Sequence, residues 1–495
     1  MKGLIDFMKN ILFVASESTP FIKTGGLADV VGSLPKELDP KKFDVRVVIP
    51  NYSCIKEQFR KDFHYLTNFY MDMGKHPLNE YVGIFEYQYQ GITFYFIDNE
   101  KYFKADTPYS NDTRFDIEKF IYFSKAVLAI LPVVKFRPDI IHCHDWQAGL
   151  VPVYLHTLFQ ENPFFQGIKT IMTIHNLRFQ GVWDIEHFRY HTGLPEYVYT
   201  PDKIEFTPQN YWYKKNANML KGGMVYADMI TTVSDTYAKE IQTAYYGEGL
   251  DGLIRARNNS LCGIVNGIDY NSFNPSTDKD IFVTYNVKNV TKKKVENKLK
   301  LQAQLGLPVD ENKMMFAIIS RLTDQKGLDL INYVMDGIID ENVQLVVIGT
   351  GQPEYEQMFR HYAWCNHDRV SANIYYSDQL AHKLYASADA MLVPSKFEPC
   401  GLTQLISLRY GTVPIVRETG GLKDTVQPYN EYEGTGTGFS FSNYNAHEML
   451  NIINYAKHIY FNRRNEWDKM VKRGMKADFS WKESAKKYEE LYDRI

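Results

Sequence analysis

The chain has 495 residues, of which 44% are hydrophobic and 23% charged, and a formal net charge of −3. It is too long for one ordinary hydrophobic core, so two or three domains are expected, and the composition is that of a soluble globular protein, not a disordered one. The small net charge gives no electrostatic reason for nucleic acid or an anionic membrane as main partner, and no apolar run reaches the roughly 20 residues that span a bilayer.

The start, "MKGLIDFMKNILFVASE", has lysines before an apolar run, as a secretory signal does. The run is short, lacks a small-residue cleavage site and reads instead as the first strand of the fold. Its continuous apolar character suits a buried parallel strand. The turn that follows contains Lys23, Thr24, Gly25 and Gly26, and then Leu27, Val30, Val31 and Leu34 recur at helical spacing. Such a turn bares backbone N–H groups to an anion, although a plain tight turn with a solvated lysine fits equally. Aromatics crowd residues 81–109, where alternating strands use them for the core and for cross-strand pairs more often than for sugar stacking.

Further strands are expected at "DVRVVIPNY", "ITFYFIDN", "DIIHCHD", "KTIMTIHN", "MITTVSD" and "CGIVNGID". His142 and His144 share one strand face with Cys143 on the other, a poor metal site without third and fourth ligands. Asp145 and Trp146 look like a hydroxyl-binding carboxylate beside an aromatic plate. His175-Asn176 ends another strand, in a structural or a catalytic role. A polar stretch after Asp269 and a lysine-rich helix, Thr291 to Leu305, mark a domain boundary.

The second half repeats the alternation with "MMFAIISRL", "VQLVVIGTG", "NIYYS", "ADAMLVPS" and "TVPIVRET". Strands alternating with helices predict two doubly wound α/β domains, whose ligands bind outside the carboxyl ends of the strands. Those ends carry Glu17, Asp145, His175-Asn176, Asn266, Arg321, Gly349 and Ser395. In "SRLTDQKGLDL", Arg321 and Lys326 flank a strand-to-helix turn; two cations there disfavour the helix unless an anion sits beside them. In "PSKFEPCGLTQL", the backbone N–H groups from Cys400 to Thr403 are candidate phosphate donors, so Glu398 should address hydroxyls. "ETGGLKDTV" repeats the chemistry of the opening turn. The tail "SWKESAKKYEELYDRI" opens on a capping-box pattern and carries an apolar stripe, but its docking surface stays open. There is no dinucleotide fingerprint, no P-loop and no nucleophile elbow. The five scattered cysteines point to reduced thiols in a cytoplasm and against structural zinc.

Taken in order, "KTGGLADVVGSLP", "HCHDWQAGL", "TIHNLRFQG", "GIVNGID", "SRLTDQKGLDL", "FEPCGLTQL" and "TGGLKDTV" resemble the bacterial glycogen synthase and plant starch synthase family over nearly the whole chain. The resemblance implies a GT-B fold: a first Rossmann-like domain on the glucan side (1–275), a second on the nucleotide-sugar side (276–478), a cleft between them, and a last helix (479–495) on the first. It implies a retaining ADP-glucose:α-1,4-glucan 4-α-glucosyltransferase, elongating glycogen in the cytoplasm. The partners would be ADP-glucose and an α-1,4-glucan, with neither nucleic acid nor membrane, no cofactor and no site metal. By the same resemblance Lys23, Gly25, Gly26 and Asp29 lie at the donor. Arg321 and Lys326 neutralise the diphosphate, and Glu398 is the essential carboxylate. Asp145, His175, Asn176 and Asn266 surround glucose and acceptor, and Gly349, Tyr376, Cys400, Gly401, Leu402 and Thr403 complete the substrate contacts. A UDP-glucose-using transferase and a non-catalytic glucan-binding protein are the alternatives. Ile406 stands where sucrose synthases carry a second Glu, and Gln147 where the family often has His.

Overall fold

The computed structural model describes residues 8–74, 79–207 and 215–495. The chain divides into two compact units, one comprising the chain up to Val233 with Ala238–Ile264 and Trp481–Ile495, the other Ser234–Tyr237 with Val265–Ser480.

The first unit is built on a nine-stranded sheet. Its strands are β1 (Lys9–Val14), β2 (Phe43–Pro50), β3 (His64–Asp72), β4 (Asn79–Tyr89), β5 (Ile92–Asp98), β6 (Ile140–His144), β7 (Lys169–Ile174), β11 (Met229–Thr232) and β12 (Leu261–Gly263). A small separate sheet holds β8 (Val182–Asp184), β9 (Glu205–Phe206) and β10 (Asn216–Asn218). The order of the large sheet is β12-β11-β7-β6-β1-β2-β5-β4-β3. It is parallel from β12 to β5, with β4 and β3 added antiparallel at one edge. The aromatics of β4 and β5 gather on Phe21, whose ring meets Tyr87, Tyr89, Phe94 and Phe96 edge-on. This is core packing, as the alternating pattern suggested.

Helix Trp481–Arg494 belongs to the first unit. Its apolar stripe is buried at Trp481, Ala485, Tyr488 and Leu491. Its end is tied to the sheet: Lys9 Nζ donates to the Tyr492 carbonyl at 2.6 Å, and the Tyr492 hydroxyl lies 2.8 Å from His142 Nδ1. The other His142 nitrogen is 2.6 Å from Thr173 Oγ1, so that imidazole is occupied on both sides.

The second unit holds a six-stranded parallel sheet, order β15-β14-β13-β16-β17-β18. These are β13 (Met314–Ile319), β14 (Val343–Ile348), β15 (Val370–Asn373), β16 (Ala390–Val393), β17 (Val413–Arg417) and β18 (Phe439–Phe441). β14 is buried at every position, as a parallel strand covered on both faces must be. Two expectations shift here. "NIYYS" is not a strand: pairing with β14 ends at Ile348↔Asn373, and beyond it Tyr375 and Tyr376 are 50% and 82% exposed. Residues 265–275, expected in the first domain, group with the second unit, where the Ile268 N–H donates to the Phe479 carbonyl at 2.8 Å.

In each large sheet the chain reverses direction once. The first leaves β1 toward β2 on one side and continues from β6 to β7 on the other; the second does the same between β13 and β16. Strand ends diverge at such a point and leave a crevice for a ligand.

Candidate active site

In the second unit the crevice at β13/β16 is lined by Ser320, Lys326, Ser395, Glu398, Gly401 and Thr403, among others. Two loops form it, one from each strand end. They meet at Gly327, whose φ of +70° is left-handed and where a Cβ would lie 2.0 Å from the Pro394 carbonyl oxygen. Only glycine serves there, and the close approach brings Lys326 beside the second loop. Lys326 Nζ lies 2.6 Å from Glu398 Oε2, and Ser395 Oγ donates to the same oxygen at 2.9 Å. Ser395 is steadied through its carbonyl, which accepts from Arg417 Nε at 2.9 Å. Arg321 is exposed on the neighbouring turn. Helix Thr403–Arg409 starts in the wall of the crevice, with Gly401 and Leu402 leading into it. Its first-turn N–H groups have no partner within the helix, which suits an anion.

Beside this wall the Asn266 N–H donates to the Cys400 thiol, which burial pushes up to about 12, well away from thiolate chemistry. Asn266 Oδ1 and Ser320 Oγ are buried polar atoms without a protein partner. Gly349 plays a backbone part: a Cβ would lie 1.9 Å from the Ser320 carbonyl oxygen, so the glycine permits β13 and β14 to close at their ends. Tyr376 is a surface residue.

In the first unit Glu17 organises the end of β1. Its carboxylate accepts the N–H groups of Thr24 and Gly25 and the Thr24 hydroxyl, the last at 2.8 Å. Burial nonetheless raises the Glu17 pKa. The sequence left open whether an anion or only solvent meets this turn; within the chain the Glu17 carboxylate takes the Thr24 and Gly25 N–H groups. Open space remains at the glycines, since a Cβ on Gly25 or Gly26 would meet nothing within 4 Å. Lys23, half exposed, pairs with Asp29 at 2.8 Å.

At the end of β6, Asp145 adopts φ +56°, a rare region for a non-glycine residue. Its carboxylate accepts the His175 N–H at 2.7 Å and that of Asn176, joining the ends of β6 and β7. Burial raises this carboxyl to about 7. His175 Nε2 lies 3.0 Å from His144 Nδ1, and burial pulls His175 down to about 3, which keeps the ring neutral. Asp145 thus grips the backbone that follows the neighbouring strand end. Trp146 is not an open plate: its ring packs edge-on against Phe120 at 5.1 Å and against Gly181.

The structure therefore brings Lys326, Glu398 and Gly401 to Thr403 together in one unit, and Asp145, His175 and Asn176 together in the other. Sequence reasoning named Glu17 and Ser395 as strand ends but gave them no task, and it passed over Ser320 and Tyr109. Tyr109 donates to Glu17 at 3.1 Å from a loop far along the chain, so no local pattern signals it.

Two family models match: the starch synthase catalytic domain over residues 10–256 and the glycosyl transferases group 1 over residues 299–474. A glycogen synthase of Lachnospira eligens is 62% identical over 99% of this chain and 100% of its own. The chain belongs to the glycogen synthase family. Its membership is equally plain against the glycogen synthase of Clostridium acetobutylicum, 48% identical over 97% of this chain and 99% of that one. Among solved structures, the catalytic domain of starch synthase IV from Arabidopsis thaliana, bound to ADP and acarbose, matches with a TM-score of 0.86 at 32% identity over 99% of both chains. Sucrose-phosphate synthase from Thermosynechococcus elongatus, at 17% identity and a TM-score of 0.60 over 98% of both chains, shares the fold. The protein is a GT-B glycosyltransferase of the glycogen synthase type, and among the described residues no helix is long and apolar enough to cross a membrane.

Proposed function

We propose that the protein transfers glucose from ADP-glucose to the non-reducing end of an α-1,4-glucan with retention of configuration. The observation that carries this is the second-unit crevice, where Lys326, the Glu398 carboxylate and a helix N-terminus converge at the switch point. ADP as the base-bearing leaving group is supported by the ADP in the starch synthase IV structure.

Breaking the bond between glucose and phosphate leaves negative charge on the diphosphate and positive charge on the sugar. Lys326, Arg321 and the N–H groups at Gly401 to Thr403 stabilise the former as it grows. An ammonium has three donors, so Lys326 keeps Glu398 while serving a phosphate oxygen. Glu398, anchored by Ser395, faces sugar hydroxyls or the developing cation. In the first unit, Asp145 holds the His175-Asn176 loop, and neutral His175 offers a hydrogen bond without charge. Lys23, Gly25 and Gly26 form an open turn for a ligand. No two of the cysteines at 54, 143, 262, 365 and 400 form a disulfide, which supports work in a reducing cytoplasm.

Glucose incorporation into glycogen, measured with ADP-glucose and UDP-glucose side by side, tests the reading. A higher kcat/KM with ADP-glucose is expected. Preference for UDP-glucose overturns the donor assignment, and no incorporation from either overturns the activity.

A further inference from the structure

Helix Ile185–Thr192 carries His187 and His191 one turn apart, their rings 4.4 Å between centroids. Helix Thr113–Val133 packs beside it and contributes Glu118. One ligand atom from each of the three lies within 4.8 Å of the other two. None of the three has a part in the chemistry described above.

Several observations give this trio the character of a metal site. His187 Nε2 is buried without a hydrogen-bond partner. The other nitrogen of that ring therefore makes the hydrogen bond to the Arg114 carbonyl, which fixes the tautomer and leaves the Nε2 lone pair facing inward. An imidazole whose far N–H is held by a backbone carbonyl is how metal-binding histidines are oriented. His191 Nε2 stands 3.8 Å from Glu118 Oε2, too far for a hydrogen bond and near enough for a shared ion. Glu118 Oε1 is engaged by the Tyr102 hydroxyl at 2.8 Å and Lys101 at 2.8 Å, which orients the carboxylate. Lys101 is a like charge to a metal, but Glu80 also holds it at 2.7 Å. His191 lies in the last turn of its helix, where the macrodipole favours a cation.

Among the described residues the other compact group of such side chains, Asp278, Asp280 and His382, differs. There Asp278 Oδ2 already accepts from His382 Nδ1 at 2.7 Å and from the Tyr410 hydroxyl at 2.5 Å.

We propose that His187, His191 and Glu118 bind a divalent transition ion, zinc foremost, in a two-histidine, one-carboxylate site that staples the two helices of the first unit. Ligands about 2 Å from a tetrahedral zinc stand about 3.3 Å apart, so small rotations of these side chains close the site around the ion.

The test uses the full-length protein after chelation, titrated with Zn²⁺ by calorimetry and with Co²⁺ by visible absorption. One equivalent should bind, and zinc-edge X-ray absorption should show nitrogen and oxygen neighbours. His187→Gln, His191→Gln and Glu118→Gln should each weaken binding by about tenfold or more, with unchanged circular dichroism. No binding overturns the proposal, as does binding that survives all three substitutions or is lost only with His382→Gln. Should a variant fail to fold, the absorption edge of the unmodified protein decides: sulfur ligation or an all-oxygen shell refutes the site.

Discussion

The tetrapeptide Thr-Gly-Gly-Leu occurs twice, at Thr24–Leu27 and Thr419–Leu422, and each copy leads from a strand end into a helix. In the first unit both glycines face open space and Gly25 has an extended backbone, φ −153°. In the second unit Gly420 has φ +44°, and a Cβ there would lie 2.0 Å from the Glu398 carbonyl oxygen; at Gly421 it would lie 2.1 Å from that of Cys400. No described neighbour requires the first pair to be glycine. The second pair is a floor on which the Glu398–Cys400 loop rests, with Gly421 N–H donating to the Glu398 carbonyl at 3.1 Å. One motif therefore takes two forms: its glycines stand open in one unit and support the Glu398–Cys400 loop in the other.

The contrast is sharpest under substitution. Gly420→Ala should destabilise the protein by about 3 kcal/mol, through overpacking and a left-handed φ. A lower urea midpoint would register this, and wild-type stability would show that the loop does not rest on the motif. Lys326→Ala sits in the loop facing the one Gly420 supports, but acts on chemistry. A lost charge-stabilising contact costs about 3 kcal/mol of transition-state energy, so kcat should fall about a hundredfold. Normal kcat with a raised KM would contradict that role.

Gly25→Ala should leave the urea midpoint within about 0.5 kcal/mol of wild type and lower kcat/KM about tenfold. Unchanged turnover would mean that no ligand approaches the open turn. The smallest effect concerns pH. Asp145 titrates at about 7 in the folded protein, above its usual carboxylate value. The folded state binds this proton more tightly than the unfolded chain, so the stabilisation is full below about pH 4 and is lost as pH rises through 7. Asp145→Asn removes the titration. Wild type should lose stability relative to this variant between about pH 4 and 7, and a constant difference across that range would refute the shift.

Much of the fold was legible in the chain because parallel strands covered on both faces are continuous apolar runs. "MMFAII" and "KNILFV" announce themselves in that way. Arg321 stood out in the sequence because a charged residue just after a buried strand is unusual, and Lys326 and Glu398 because each lies in a loop leading from a strand into a helix. "NIYYS" misled because β-forming tyrosines look alike whether or not a neighbouring strand extends far enough to pair with them.

The sequence by itself determined the alternation of elements, the strand-end positions of the chemical residues and the family to which the motifs belong, since all of these depend on local pattern. Tertiary structure decided which glycines are open and which are floors, that Asp145 grips backbone, and that Glu17 fills the turn after β1. It also brought Glu118 to the two histidines of a distant helix. Each of these depends on which segment lies across from a residue, and that is set by the order of strands in a sheet and the helices laid over it, not by neighbours along the chain.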